Sequence, residues 1–326
     1  MTSKQRVDAV LCGRMPDRPP FSFWYHFSQD QVAGTGALQA HVDQFERYQM
    51  DFLKVMNDNA YPHSGRIERV EELASLAPLK GDEEGFGYQL ELLSALRAAV
   101  GARVYMPATI FNAWAVLRRL VEEPTVHLPP NLDAAADGSS RWIRNAYAQR
   151  PDLVAKALET IGQNLARFAA LCVRVGADGI FLSVRDDWVD TRQTPGLYGR
   201  LVRPTDQAIL AAVGQAHFNI LHVCGKAVNF QAFAGYPVAA INWADRAAGP
   251  PIAEVANWAK PALCAGVDNL GTLVTGSPHQ VRAEIADALR QAGRRPIIIA
   301  PGCTFDPQKV PPANLEALAE LAGERP

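Results

Sequence analysis

Eight short strand-like runs, separated by helical patterns, constrain the fold of this 326-residue chain more than any other feature. Strands that alternate with helices along a chain are typical of parallel sheets with helical crossover connections. Eight such units without a break in composition favour an α/β fold, a single (β/α)₈ (TIM) barrel spanning residues 1–326, over a doubly wound sheet. The predicted strands are Phe21–Phe27, Phe52–Met56, Arg103–Met106, Gly179–Val184, Phe218–Val223, Val238–Trp243, Leu263–Val267 and Pro296–Ala300.

The segments between these runs are mostly helical in pattern. Ser277 is a predicted helix N-cap, because Pro278 follows it and Gln280 completes a capping box. The stretch 124–140 is rich in Pro, Asp and Ser and is predicted to be a surface loop. The other predicted helices cover residues 3–12, 36–50, most of 64–100, 111–122 and 141–175.

Composition excludes several classes of protein. The net charge is −2, which gives no electrostatic footprint for nucleic acid. The five cysteines are scattered and odd in number, so we expect a reducing, cytoplasmic setting rather than a disulfide framework. The first six residues lack the apolar core of a signal peptide, and no run of about 18 apolar residues predicts a membrane span.

The chemistry of a (β/α)₈ barrel lies at the carboxyl ends of its strands. Polar residues follow most of the predicted strands, and those that we predict to bind substrate are Tyr25, His26, Asn57, Asp58, Ser183, Arg185 and Asp245.

A His-x-Cys pair, His222 and Cys224, ends the fifth predicted strand. Side chains alternate between the faces of a strand, so the imidazole and the thiol point to the same side and can reach one metal ion. Cys303 follows the eighth strand, whose end faces the fifth across the barrel mouth, and it is the candidate third ligand. One imidazole and two thiolates suit zinc, with a coordination position left open for catalysis.

Other assignments of these residues stay open. A single His or Cys in a buried strand usually belongs to the core. The fourth zinc ligand could be water, a substrate thiol or a weak carboxylate; Asp245 is the nearest carboxylate candidate, and helix capping is an equally good role for it. Cys12, Cys172 and Cys264 lie in apolar patterns and are predicted to be small core residues.

Several segments together resemble the uroporphyrinogen decarboxylase superfamily over essentially the whole chain. They are Arg6–Gly13 with Asp17–Pro20, Asp51–Lys54, Gly176–Ile180, Leu221–Gly225 and Gly276–Pro278. The resemblance implies a (β/α)₈ barrel, in agreement with the strand count, and is compatible with a homodimer.

The resemblance separates into two branches. True decarboxylases of the family hold a porphyrinogen with arginines after the first strand and an aspartate after the second. Residues 19–46 contain no Arg or Lys here, and Tyr25–Ser28 stands where the arginines are expected, although Asp58 could serve as the aspartate. The corrinoid-dependent methyltransferases of the family use zinc held by a His-x-Cys pair and a later Cys. His222, Cys224 and Cys303, the last 79 positions after Cys224, match that pattern.

The resemblance therefore implies a zinc-dependent methyltransferase that moves a methyl group from a corrinoid (methylcobalamin) to a small-molecule thiol or similar acceptor. The corrinoid would come from a partner corrinoid protein or as free methylcobalamin. Two alternatives remain. One is a decarboxylase of a tetrapyrrole or smaller acid, in which His222 and Cys224 are incidental pocket residues. The other is a non-catalytic zinc-binding barrel.

Overall fold

A computed structural model describes residues 1–121 and 133–323 of the chain. Its centre is a parallel sheet of six strands that pair in the order in which they occur along the chain. The strands are β1 (Pro107–Phe111), β2 (Gly179–Val184), β3 (Ile220–Val223), β4 (Ala240–Trp243), β5 (Ala262–Val267) and β6 (Ile297–Pro301).

Two extended segments near the N-terminus close the sheet into a barrel. Ser22 N donates to Ile299 O at 3.2 Å, which joins the first segment to β6. Asp51 N donates to Phe21 O at 2.9 Å and joins the two segments to each other. Val55 N donates to Pro107 O at 3.0 Å and joins the second segment to β1. The ring thus has eight strand positions, and the predicted α/β barrel is confirmed.

Helices surround the sheet. Ser277 caps the helix Pro278–Ala292 and forms the predicted capping box with Gln280. In the part of the chain that is described, no helix is long and apolar enough to cross a membrane. The α-helices are α1 (Ser3–Leu11), α2 (Gly34–Tyr48), α3 (Phe86–Val100), α4 (Ala113–Val121), α5 (Asp133–Gln149), α6 (Pro151–Arg174), α7 (Arg203–Ala212), α8 (Ile252–Val255), α9 (Thr272–Thr275), α10 (Pro278–Ala292) and α11 (Pro312–Ala319).

Several boundaries differ from the sequence prediction. The third strand runs over Pro107–Phe111 rather than Arg103–Met106, where only an isolated bridge from Tyr105 to Phe52 forms. The region 64–100 is α-helical only from Phe86, because Pro78 cannot continue a helix and Gly81 and Gly85 take positive φ angles.

Two further helix predictions also need correction. The long pattern at 141–175 is divided by Pro151 into α5 and α6. The predicted loop 124–140 lies partly outside the described residues, and its last part, from Asp133, is helical.

Side chains inside the barrel form a separate apolar layer below the strand ends. Cys264 belongs to this layer and Cys172 to the layer between barrel and helices; both are fully buried, as predicted. The prediction for Cys12 is wrong, because this residue follows the last turn of α1 and is exposed. The inner layer consists mainly of Trp24, Phe52, Phe181, Phe218, Ile220, Ala240, Ile298 and Ala300.

The buried carboxylate of Asp51 binds the N-terminal segment at the end of the barrel where the strands begin, which we call the closed end. Asp51 has no exposed surface and accepts two bonds from the Arg18 guanidinium, at 2.6 and 3.1 Å. It also accepts from the backbone of Phe21 at 3.1 Å, and Arg6 lies 3.4 Å away. Asp51 thus joins α1 to both closing segments of the barrel.

We expect Asp51→Ala to lower the free energy of unfolding by about 2–4 kcal/mol, because two partly buried guanidiniums lose their shared counter-charge. Urea denaturation measures the change. The matched control is Glu316→Ala, which breaks the half-exposed pair with Arg47 and should cost less than about 1 kcal/mol. Equal effects of the two substitutions would contradict a structural role for Asp51.

Candidate metal centre

Three potential metal ligands converge at the carboxyl end of the barrel. His222 lies in β3, Cys224 directly follows it, and Cys303 comes two residues after the end of β6. One ligand atom from each lies within 4.8 Å of the others, and this is the one such group of three among the described residues. The two sulfur atoms are 4.0 Å apart. Two thiolates on a tetrahedral zinc with bonds of 2.3 Å would be about 3.8 Å apart, so the donor set fits zinc without rearrangement.

A buried amide sets the orientation of His222. Asn242 in β4 donates through its side-chain nitrogen to the carbonyls of Cys264 (2.7 Å) and Pro301 (3.1 Å). Its oxygen must therefore accept the 2.6 Å bond from His222 Nδ1. Nε2 then carries the lone pair, which is the state that a metal ligand needs. Because Pro301 ends β6, Asn242 also links the histidine strand to the strand before Cys303.

Two glycines permit close packing beside the cysteines. Gly225 follows Cys224 with φ at +110°, and a Cβ there would lie 2.6 Å from the carboxylate of Asp187. Gly302 precedes Cys303, and a Cβ there would lie 2.5 Å from Cα of Ala244. Each glycine thus lets the chain that carries a sulfur approach a neighbouring loop.

The loop after β2 holds this arrangement from one side. Arg185 makes two hydrogen bonds to Asp187, at 2.6 and 2.7 Å. Asp186 accepts from the backbone of Asn229 at 3.1 Å, which ties this loop to the loop after Cys224. The position of Cys224 therefore depends on charged side chains of the neighbouring strand end.

The two thiols influence each other's ionisation. The contact with Cys224 lowers the pKa of Cys303 well below the ordinary value for a thiol, and His222 acts in the same direction. The same contact, with burial, raises the pKa of Cys224. In the metal-free protein the pair therefore favours one thiolate at Cys303 that accepts a hydrogen bond from the other thiol.

A cavity of about 410 Å³ opens above the three ligands. Its size is in the range of pockets for a single small molecule. Of the residues predicted from sequence, those that line it are His26, Asp58, Ser183, Arg185, His222, Cys224 and Cys303.

Three predicted substrate-binding residues lie outside this lining. Tyr25 packs against Phe305, with ring centroids 5.5 Å apart, and burial raises its pKa to about 12. Asn57 donates to the carbonyl of Thr109 at 3.3 Å. Both side chains are engaged with the protein rather than with the cavity.

Asp245 is also engaged elsewhere. Its carboxylate accepts from Gly266 N at 2.9 Å and lies 3.0 Å from Arg246 Nε. Burial raises its pKa to about 6, an effect that the arginine opposes. It is neither a helix cap nor a member of the ligand group, because its hydrogen bond runs to β5 and the metal-ligand group excludes it.

His26 and Asp58 form a pair on the opposite wall. His26 Nδ1 lies 2.7 Å from Asp58 Oδ1, and both side chains face the cavity. The contact with His26 lowers the pKa of Asp58 against the opposing effect of burial. The carboxylate thus orients the imidazole, which leaves the other ring nitrogen free to act as a proton donor or acceptor.

Sequence reasoning missed several residues of the site. Lys54, which lines the cavity, and Asn242, which lies behind His222, interrupt apolar strand runs, and this was the available signal. Arg118 and Arg119 line the cavity from α4, where no strand-end pattern indicates them. Trp188 stacks between two guanidiniums, with Arg118 at 3.6 Å from its ring centroid and Arg185 at 3.8 Å. The cavity therefore combines aromatic walls with positive charge.

Comparisons with solved structures agree with this fold. A methyltransferase from Methanosarcina mazei superposes with a TM-score of 0.74 and 16% sequence identity, over 98% of this chain and 98% of its own. A B12-independent methionine synthase from Shewanella sp. W3-18-1 covers 72% of this chain and 66% of its own, at 11% identity and a TM-score of 0.47, which is too low to support an inference. No curated protein sequence matches the chain.

A family model described as uroporphyrinogen decarboxylase (URO-D) matches residues 53–325. The match covers most of the chain and includes all three potential ligands, both glycines beside the cysteines and the loop after β2. The barrel and the sequence match lead to the same conclusion: the chain belongs to the uroporphyrinogen decarboxylase family.

Proposed function

We propose that this protein is a zinc-dependent methyltransferase that moves a methyl group between a corrinoid and a thiol-type acceptor. The observation that carries the proposal is the convergence of one imidazole and two sulfurs, 4.0 Å apart, at the open end of the barrel. A catalytic zinc site has three protein ligands and one open position. The structurally similar protein from Methanosarcina mazei is a methyltransferase, which is consistent with this proposal.

His222, Cys224 and Cys303 would hold the ion. A bound zinc would lower the pKa of an acceptor thiol and provide the coordination position at which that thiol is held. The protein's own part is to orient His222 through Asn242, to hold the two sulfurs at ligand distance, and to surround the acceptor with a largely apolar cavity. A desolvated thiolate is the better nucleophile, because less water must be removed before it attacks the methyl group.

The methyl donor would reach the acceptor through the cavity mouth. We propose methylcobalamin, either free or carried by a separate corrinoid protein, as that donor. A homodimer and a cytoplasmic location remain predictions from the sequence.

The structure changes the argument, made from the sequence, that the site lacks the cations needed to bind a porphyrinogen. The segment 19–46 lacks cations, but Lys54, Arg118, Arg119 and Arg185 bring positive charge to the cavity from other elements. Arg185 is already paired with Asp187, and Arg118 is stacked on Trp188. The sulfur ligands at the cavity floor have no evident use in a decarboxylation that needs no metal, and this favours the methyltransferase.

We expect Cys224→Ser and Cys303→Ser each to lower bound zinc from about one ion per chain to well under half, because a hydroxyl is a harder and far less acidic ligand than a thiol. Elemental analysis of the purified proteins measures this. Cys12→Ser, at an exposed position, is the matched control and should keep its zinc. Zinc retained by both ligand variants would refute the proposed centre, and zinc without methyl transfer from methylcobalamin to a thiol would indicate a non-catalytic zinc-binding barrel.

Asn242→Ala should weaken zinc binding roughly 10- to 100-fold, since His222 loses the acceptor that fixes its tautomer and ring orientation. Competition with a chromogenic chelator gives the affinity. Asn257→Ala, which removes only an exposed bond to the carbonyl of Ala253, should leave the affinity unchanged. Unaltered affinity in Asn242→Ala would show that the amide does not act on the metal site.

Incubation with the octacarboxylate porphyrinogen should yield no tetracarboxylate product. The physical reason is that the three cavity arginines are already engaged, Arg118 by Trp188, Arg119 by Phe111 and Arg185 by Asp187. In addition, no Arg or Lys stands at Tyr25–Ser28. Product analysis by chromatography measures this, with an active uroporphyrinogen decarboxylase as positive control. Rapid product formation would establish the decarboxylase alternative.

A further inference from the structure

Lys54 is a cation of the cavity that has no carboxylate partner among the described residues. Lys54 belongs to the second closing segment of the barrel, and its side chain is only 4% exposed. In the described part of the chain, the one hydrogen-bond partner of its Nζ is the thioether sulfur of Met56, at 2.9 Å. A thioether is a weak acceptor. Within the described ranges, no carboxylate forms an ion pair with Lys54.

The surroundings of Lys54 make this arrangement costly. Its Nζ lies 4.5 Å from the ring centroid of Phe181 and 5.4 Å from that of Trp24. Aromatic faces attract a cation, but they do not replace the water that an ammonium loses on burial. Burial accordingly lowers the pKa of Lys54 to about 7. A residue that costs stability in this way needs another reason to be present.

Lys54 lies beside the metal-ligand group. The ring of Phe181, which it contacts, stacks on the imidazole of His222 with centroids 5.2 Å apart. Negative charge on Cys303 raises the pKa of Lys54, so the two groups interact electrostatically. Asp58 acts in the same direction, but His26 already occupies that carboxylate at 2.7 Å. Lys54 in turn acts on buried His41, whose pKa is lowered to about 4 by burial and, to a smaller extent, by Lys54, so that this imidazole is neutral.

A charge count shows what Lys54 could do. Zinc with two cysteinates and a neutral imidazole has no net charge. An acceptor thiolate adds one negative charge, which a nearby ammonium would balance in a site of low dielectric constant. Methyl transfer turns the thiolate into an uncharged thioether: the sulfur gives an electron pair to the methyl carbon, and the bond from that carbon to cobalt breaks with its electrons left on the metal. After the transfer, the acceptor no longer carries the negative charge that balances the ammonium of Lys54.

We infer that Lys54 is a binding residue that compensates the charge of the acceptor thiolate and so makes the cavity bind the thiol substrate in preference to the methylated product. The inference rests on the proposed function. The acceptor thiolate would be the negatively charged partner of the Lys54 ammonium during the reaction. The loss of this charge on methylation is a physical reason for release of the product. Lys54 would thus act on the equilibrium between substrate and product states rather than on zinc itself.

The test compares one thiol with its own methylated form. The probes are 2-mercaptoethanol and its S-methyl ether, neither of which carries another charge, and calorimetry on zinc-loaded protein gives both dissociation constants. Lys54→Met keeps the length and apolar character of the side chain but removes the charge. We expect it to weaken binding of the thiol roughly tenfold or more, with binding of the thioether and the zinc content unchanged.

Two variants serve as controls. Lys156→Met removes one positive charge from an exposed helix position, where the side chain is 69% exposed, and should bind the thiol like the natural protein. Lys54→Arg keeps the charge and should recover part of the thiol affinity. Lys54→Met should also have a melting temperature at neutral pH no lower than that of the natural protein, because it no longer buries an ammonium whose folded-state pKa is depressed.

The outcomes separate the two proposals. Equal weakening of thiol and thioether binding in Lys54→Met, or no weakening of either, would overturn the role of Lys54 while leaving the zinc methyltransferase in place. A drop in melting temperature together with lost zinc would show a structural role and overturn it as well. If the natural protein bound neither zinc nor thiol, the proposed function would fail, and this inference with it.

Discussion

The candidate site depends on one geometric constraint, the parallel arrangement of all strands in the barrel. Because the strands run in the same direction, their carboxyl ends meet at one rim. Cys224 and Cys303 are 79 positions apart in sequence, yet their sulfur atoms lie 4.0 Å apart. The short segments after β3 and β6 bring the two sulfur atoms together. Gly225 and Gly302 lie in these segments and let the backbone pack closely against neighbouring loops, because neither position has room for a side chain.

The sequence predicted the barrel and the convergence of His222, Cys224 and Cys303 for the same physical reason. Alternation of strands and helices implies a common rim, and a His-x-Cys pair at a strand end must face one way. Residues whose roles depend on strand register or on distant partners could not be placed. Asp245 follows β4 at the rim, where site residues are expected, but its carboxylate accepts a hydrogen bond from the backbone of Gly266. Asn242 reaches β5 and β6 as well as His222, which no local pattern reveals.

Buried charged side chains have different partners at the two ends of the barrel. At the closed end, Asp51 is satisfied by Arg18, by Arg6 and by a backbone amide. At the open end, Lys54 is left with a thioether and two aromatic faces. Both residues belong to the same extended segment, three positions apart in the sequence. The contrast agrees with the division found in barrels of this type, in which one face serves stability and the other serves binding.

The position of the cations shows how one family fold can host different chemistry. No Arg or Lys lies between residues 19 and 46, so the end of the first strand has no arginine or lysine that could bind a polyanion. Positive charge enters instead from Lys54 and from α4, while the side chains of Cys224 and Cys303, the candidate metal ligands, lie after β3 and β6. One fold can host such different sets of rim residues, because function lies in the site and not in the fold itself. Family membership therefore determines the barrel, whereas the reaction must be argued from the rim residues of this chain.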